Sequence, residues 1–307
     1  KAIMAAVAVT GIVAVGLTVV LVGDDNAWAH ELLALDSGDC LEGITGRAVK
    51  DPSFGLDALW ISEADRTDAV AAGYTVVDPA TVIATHLNQL ASASAAELFG
   101  MDDAQALVDN LKYSYPQLAT GLTPAPYSLA AITALCRALL TERVPLRDFR
   151  RVAEAMVDLA PRNLDVTELV EAVRQRLGAL IVQTIVPVKM PLAAITFDGG
   201  LEELLVQSVQ TGPHATWPFE PALARRIIAA VDEAVQPMLI AARSFAIITS
   251  PLCRAAIARL IRAQFSDVAV LSFLEIPETK KVDVIAVVGG EPRLADTAHD
   301  AGEPYAE

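Results

Sequence analysis

Basic side chains are scarce in this sequence of 307 residues. It has 23 lysines and arginines against 38 aspartates and glutamates, which gives a net charge of -15 and a pI of about 4.7. Nucleic acids and anionic membranes are bound through clusters of Lys and Arg, so both are poor candidates for a partner. The acidic balance permits basic partners but does not require them.

Cysteine is also scarce. The three cysteines, Cys40, Cys136 and Cys253, stand far apart and form no CxxC pair, and no His lies at ligand spacing from them. This pattern predicts reduced thiols in a cytosolic compartment, with Cys136 and Cys253 packed on helices. His30 and Glu31 match the start of a zinc motif, but the second His is missing, so we expect no metal site.

Sequence signatures of catalysis are missing too. The chain has no GxGxxG, no GxxxxGK[ST] and no GxSxG motif, and its four histidines are scattered. We therefore expect a protein that is not an enzyme and that needs no cofactor. His86 is interpreted as a structural histidine rather than a general base. A site assembled from distant residues stays open, so a small-molecule-binding α/β enzyme is one alternative.

The first apolar stretch, residues 2–23, carries no charge. Its length and polarity would suit a helix that spans a bilayer. Gly11 and Gly16 interrupt it, however, and its many valines favour strands. Two or three buried strands explain this pattern as well as one membrane-spanning helix does, so the residues alone leave both interpretations open.

Residues 51–90 are the stretch around which the rest of the chain is organised. Two tight turns, DPSFGL and VVDPAT, flank a short apolar strand at residues 59–61 and a second strand at 74–77, with a helix over 63–72 between them. Asp78 and Pro79 are typical of a capped helix start. The spacing of apolar residues on this helix predicts a core-facing side made of Val82, Ile83, Leu87 and Leu90. Its polar side would hold Thr81, Thr85, Asn88 and Ser92.

Phe54 lies in the first of these turns, and two interpretations of it stay open. It is either a core residue beneath the turn or an apolar anchor beside the polar helix side, where a partner could dock.

From residue 101 to about 180 the apolar periodicity is helical. It predicts two apolar stripes that face a core, one made of Leu129, Ile132, Cys136, Leu139 and Leu140 and the next of Phe149, Val152, Met156 and Leu159. Ser128 is placed to cap one helix, Pro145 to open the next, and Asp165 with Glu168 to form a capping box. Beyond residue 187, strands are expected at 192–197, 245–249, 268–273 and 282–288. The helices between them are expected at 201–210 and 221–235, and a further helix is expected to start at Ser250 and Pro251. Residues 291–307 are expected to be disordered.

Four blocks of sequence resemble a known family. They are DPSFGLDALWI, GYTVVDPATVIATHLNQL, ERVPLRDFRRVAEAM and VAVLSFLEIPETKKVDVIAVVG, and they lie in the family's order between about residues 45 and 288. The chain resembles the cytoplasmic region of the FlhA/SctV family, the export-gate proteins of type III secretion. The flagellar branch, FlhA, is favoured over the injectisome branch, SctV.

The resemblance implies an α+β fold of several subdomains: two α/β subdomains, one inserted in the other, then a helical subdomain and a C-terminal α/β subdomain. It also favours strands over a membrane-spanning helix at residues 2–23, because the family's soluble region opens with strands at this distance from the DPSFGL loop. The expected boundaries are 1–29 with 79–99, the insertion 30–78, the helical part 100–182, the C-terminal part 183–290 and a tail 291–307.

It also implies a docking platform below a membrane-embedded gate, at the cytoplasmic face of the bacterial inner membrane. The chain itself would be a soluble fragment of an integral membrane protein. The expected partners are flagellar chaperone–substrate complexes, components of the export ATPase complex, and eight further copies of the chain in a nonameric ring.

Matching the family's motifs residue by residue places chaperone binding at Asp51, Phe54 and Thr85. It makes Arg147, Asp148, Arg150 and Arg151 candidates for the ring interface, although a solvated helix face explains these charges equally well. Asp57 stands where relatives more often have Pro. An injectisome counterpart that exports virulence effectors is the alternative.

Overall fold

The computed structural model of the chain describes residues 31–36, 43–51, 57–211, 218–240, 243–265 and 268–289. Several expectations fall outside these residues: the strands at 2–23, the tail at 291–307, Cys40 and Phe54. The chain divides into two compact units, Lys1–Val170 and Glu171–Glu307.

In the first unit the described strands are followed by a run of helices, whereas strands and helices are interspersed in the second unit. The strands are β1 (Glu31–Leu35), β2 (Arg47–Lys50), β3 (Asp57–Ser62), β4 (Thr75–Val77), β5 (Leu192–Phe197), β6 (Phe245–Thr249), β7 (Ala269–Ser272) and β8 (Val282–Val288). The helices are α1 (Arg66–Ala71), α2 (Pro79–Ala93), α3 (Ala95–Leu98), α4 (Met101–Ser114), α5 (Pro116–Leu122), α6 (Leu129–Thr141), α7 (Phe149–Leu159), α8 (Val166–Arg176), α9 (Gly178–Ile185), α10 (Gly199–Thr211), α11 (Pro221–Ile240) and α12 (Arg254–Arg262).

In the first unit, the described strands form an antiparallel sheet in the order β2-β3-β1-β4. Alternation along the strands sends successive side chains to opposite faces. One face packs Leu33, Ala58 and Trp60 against Val82 of α2. The other face packs Ile61 and its neighbours against Ala69 of α1. The sheet is therefore a layer between two helices.

In the helical part of this unit, the residues predicted to face a core are buried on both α6 and α7 or lie half-buried beside them. Ser128 caps α6, since its Oγ accepts the N–H of Ala131 at 3.2 Å, and Ile132, Cys136 and Leu139 are buried. On α7 the four predicted inward residues are buried: Phe149, Val152, Met156 and Leu159. The capping box of α8 is present, because the Asp165 carboxylate accepts the Glu168 N–H at 2.8 Å and Glu168 reciprocates at 3.2 Å.

In the second unit, the described strands form a parallel sheet in the order β7-β6-β5-β8. The central strand β5 is almost entirely buried, as expected for a parallel sheet. Residues Ile195 and Ile247 share a core with apolar side chains of α10, α11 and α12, among them Leu205, Val231 and Ile257.

Two predicted helix starts are wrong. Pro145 does not open a helix: residues 147 and 148 form a turn, and α7 begins after it at Phe149, where the Arg151 N–H donates to the Asp148 carbonyl. Ser250 and Pro251 lie in a turn, and α12 begins at Arg254. The N–H groups of Cys253 and Arg254 donate to the Ser250 carbonyl, so that turn leads straight into the helix.

Strands β1 and β2 were not predicted, because residues 24–50 are rich in turn-forming and acidic residues. The orientation predicted for Leu87 is also wrong: its side chain is 40% exposed instead of facing the core. Val82 alone is fully buried on α2, and Ile83 and Leu90 are half-buried.

The observed mixture of helices with two small sheets confirms the α+β fold of several subdomains. The exact subdomain boundaries stay a prediction. Among the residues that the structure describes, no helix is both long enough and apolar enough to cross a lipid bilayer.

Candidate docking site

Asp51 lies directly after β2, at the edge of the first sheet. Its side chain is buried. The residue before it, Lys50, faces Asp57 on β3 and forms an ion pair with it at 2.8 Å. Both charged side chains are well exposed, so the pair contributes little to stability. Lys50 and Asp57 lie on either side of the segment 52–56, which contains Phe54 and is outside the described residues.

Helix α2 carries the second predicted site residue, Thr85. Asp78 caps this helix: its carboxylate accepts the Thr81 N–H and the Thr81 hydroxyl, each at 2.8 Å. The hydrogen bond from the Thr81 backbone lowers the pKa of Asp78, and the hydroxyl contributes to the same shift. The cap therefore favours the charged form of the Asp78 carboxyl group.

One hydrophobic cluster relates Asp51 to Thr85. Val49, two residues before Asp51, packs against the cluster that contains Val82, and Val82 lies one turn before Thr85 on α2. Thr85 itself is half-buried. The structure thus places two of the three predicted residues on elements that share a core, whereas Phe54 lies outside the described residues.

His86 follows Thr85 and is half-buried. Among the described residues, its buried Nδ1 atom has no hydrogen-bond partner. The ring is therefore not the fully satisfied structural histidine that the sequence suggested.

The predicted ring-interface residues lie at the start of α7. Arg151 pairs with Asp148 at 3.1 Å, and Arg150 pairs with Glu154 at 2.7 Å. The guanidinium of Arg150 also lies 4.6 Å from the centroid of the Tyr115 ring, within the range of a cation–π contact. Arg147 is exposed. These charges form a solvated surface that is held in place by local contacts.

The cysteine environments disfavour nucleophilic chemistry. Burial raises the pKa of the Cys136 thiol to about 12, and burial also raises the pKa of Cys253. Both thiols stay protonated near neutral pH, and it is the thiolate that attacks electrophiles and binds metals. Within the described part of the chain, no group of three or more His, Cys, Asp or Glu side chains could hold a metal ion.

Sequence reasoning missed two ion pairs in the second unit. Arg174 of α8 faces Glu275 at 2.7 Å, and both side chains are almost completely buried. Arg254 of α12 bonds both carboxylate oxygens of Glu171, with its Nε at 2.6 Å from Oε2. The partners of the latter pair are 83 positions apart, so no local spacing could reveal it.

Solved structures share this fold. Nonameric SctV-C from EPEC aligns with a TM-score of 0.68 at 21% identity, covering 84% of this chain and 78% of that chain. The Chlamydia pneumoniae CdsV and CdsO protein complex contains a chain that aligns with a TM-score of 0.73 at 22% identity, covering 84% of this chain and 75% of that one. At these identities the likeness establishes the fold class and nothing further.

Sequence similarity establishes the family. The FHIPEP family matches residues 11–281, and the chain belongs to that family. The flagellar biosynthesis protein FlhA of Escherichia coli K12 is 36% identical over 270 residues, which cover 88% of this chain and 38% of the relative. FlhA of Bacillus subtilis is 33% identical over 251 residues, covering 81% and 37%. The chain thus spans less than two-fifths of these relatives' length, and the FlhA/SctV resemblance of the four sequence blocks is confirmed.

Proposed function

We propose that this chain is the docking platform of a flagellar type III export gate, where chaperone–substrate complexes bind before export. The observation that carries the proposal is the similarity to FlhA over 270 residues, which are 88% of the chain. The platform would work at the cytoplasmic face of the bacterial inner membrane.

The proposed chaperone-binding residues are Asp51, Phe54 and Thr85. A docking site of this kind needs an apolar anchor that loses its water, surrounded by polar groups that fix the orientation of the partner. Phe54 would be the anchor. The half-buried hydroxyl of Thr85 on the capped helix α2 would supply one directional contact, and Asp51 at the end of β2 another.

We further propose that the chain binds its partners without catalysing a reaction. This is supported by the buried, protonated thiols and by the lack of nucleotide or nucleophile motifs in the sequence. An enzyme with a dispersed site would bind a small molecule and be stabilised by it. A thermal-shift screen against nucleotides and metabolites tests for such stabilisation.

Self-assembly is the third part of the proposal. SctV-C, which shares the fold, is described as nonameric, and CdsV is described in complex with CdsO. A homononameric ring that also binds components of the export ATPase complex is our proposal for this chain. The exposed charges at the start of α7, Arg147, Asp148, Arg150 and Arg151, would contact the neighbouring copy.

The injectisome alternative shares this architecture. The relatives named above at 33% and 36% identity are flagellar, whereas the solved injectisome proteins match at 21% and 22%. This difference favours the flagellar role.

A pull-down with flagellar export chaperones tests the site on a helix that the structure describes. Thr85→Lys places a bulky charge within the proposed site and should abolish capture. Leu87→Lys is the matched control, because it adds the same charge to the same helix at an exposed position about 200° away around the axis. Equal capture by both variants would remove Thr85 from the site. Circular dichroism confirms that both variants fold.

A further inference from the structure

Three exposed apolar side chains stand together in the second unit. Leu252, Phe273 and Leu274 are each more than half exposed. Leu252 follows β6, and the other two follow β7, which pairs with β6 in parallel so that Thr249 lies opposite Ser272. The ends of these neighbouring strands therefore present the three side chains at the carboxyl edge of the sheet. We call these three residues the carboxyl-edge patch.

The backbone beneath the patch is fixed by buried polar contacts. The carboxylate of Glu275 accepts the N–H of Ser272 at 2.6 Å and is balanced by Arg174. The N–H of Ser250 donates to Glu202 of α10 at 2.6 Å. Turns held in this way present their side chains in a fixed arrangement, which lowers the entropy cost of binding a partner.

The charged side chains that reach the surface next to the patch are acidic. Asp198 follows β5, and Glu202 and Glu203 lie at the start of α10, whereas Arg254 at this edge is buried and paired with Glu171. No Lys or Arg occurs in the sequence segments 192–205, 245–253 and 269–279. Lys280 lies at the opposite edge of the sheet, where its Nζ donates to the carbonyl oxygens of Pro187 and Val188 at 2.9 and 3.3 Å. The field at the patch therefore favours a positively charged partner.

We propose that the carboxyl-edge patch docks a basic amphipathic helix of a partner protein. Apolar side chains at positions i, i+3 and i+4 or i+7 of that helix would pack on Leu252, Phe273 and Leu274. Lysines and arginines on its flanks would face Asp198 and Glu203. A second copy of this chain is a poorer occupant, because a two-fold contact at this edge brings the same acidic residues face to face.

A defined peptide tests the proposal on the full chain. The probe is a 20-residue amphipathic helical peptide with leucines on one face and lysines on the other, labelled with fluorescein. The matched peptide carries glutamates in place of the lysines. Fluorescence anisotropy should show that the lysine peptide binds and that Phe273→Ser with Leu274→Ser raises its Kd by at least about tenfold.

Control variants separate the patch from general attraction to an acidic protein. Val188 and Met190 are equally exposed but precede β5, at the opposite edge of the sheet, so Val188→Ser with Met190→Ser should leave the Kd unchanged.

Three results would each overturn the proposal. The first is an unchanged Kd in the Phe273→Ser, Leu274→Ser variant. The second is equal affinity for the glutamate peptide. The third is a concentration-dependent dimer in sedimentation velocity that this variant loses, which would assign the patch to a second copy of the chain.

Discussion

The charge on Glu275 is almost completely removed from water, and it is balanced by the equally buried Arg174. Removing charged groups from water is costly, and the cost is offset only where partners and hydrogen bonds satisfy both groups. Here the Ser272 N–H occupies the second carboxylate oxygen of Glu275. The turn that carries Phe273 and Leu274 is consequently anchored to α8.

Glu275→Ala should lower the free energy of unfolding by about 3–5 kcal/mol, because Arg174 is left as an uncompensated buried charge. Urea denaturation followed by circular dichroism measures this loss. The control is Glu278→Ala, three residues on and exposed, which should change stability by less than about 0.5 kcal/mol. Similar effects in both variants would mean that the buried pair contributes nothing specific.

Individual residues show which burials and contacts the sequence pattern can predict and which it cannot. The helical period predicts that Val82 is buried, and it is. The same period places Leu87 inward, but in the described part of the chain the residues of α2 that pack on the sheet are Val82 and Ile83 in its first turns, and Leu87 is exposed. Glu171 pairs with Arg254, 83 positions away in the sequence. Tertiary folding brings the two together, and no pattern in a single sequence could indicate this pair.

At the scale of the element, α2 depends on the Asp78 cap. The carboxylate accepts two hydrogen bonds from Thr81, which favour its charged form and lower its pKa in the folded protein. A group whose pKa is lower when folded contributes stability above its unfolded-state pKa and loses that contribution as the pH falls. The cap should therefore weaken below about pH 4.

Asp78→Asn should keep the capped helix while removing its share of the pH dependence, since the amide oxygen still accepts the Thr81 N–H. Thermal unfolding between pH 7 and pH 3 should show a shallower loss of stability in this variant than in the wild type. Asp78→Ala should be less stable than both at neutral pH. Parallel pH curves for wild type and Asp78→Asn would contradict the assigned role.

Elements with a strong local signal were predicted, and those fixed by distant contacts were not. The capping box at Asp165 and the apolar stripe on α7 both appear as expected. Strands β1 and β2 have little alternation of their own and form because β3 pairs with both of them. The start of α7 follows a turn at residues 147 and 148, which the proline at 145 did not indicate.

At the scale of the whole molecule, the proposed ring makes a prediction for Arg150. Its exposed guanidinium is held against Glu154 and Tyr115, so it is presented in a defined position. Arg150→Glu should shift the chain from larger assemblies towards monomer in mass photometry at the same concentration. Arg226→Glu, an exposed change of the same charge on α11, should leave assembly unchanged. Loss of assembly in both variants would point to net charge instead of a specific contact.

The measurement that tests the central claim most directly is a calorimetric titration of the full chain with a purified flagellar chaperone–substrate complex. A docking platform should bind the complex saturably, and Phe54→Ala should weaken that binding by about 2 kcal/mol or more, roughly a 30-fold rise in Kd. Leu87→Ala should bind like the wild type. No saturable binding by the wild type, or the same Kd in wild type and Phe54→Ala, would contradict the account.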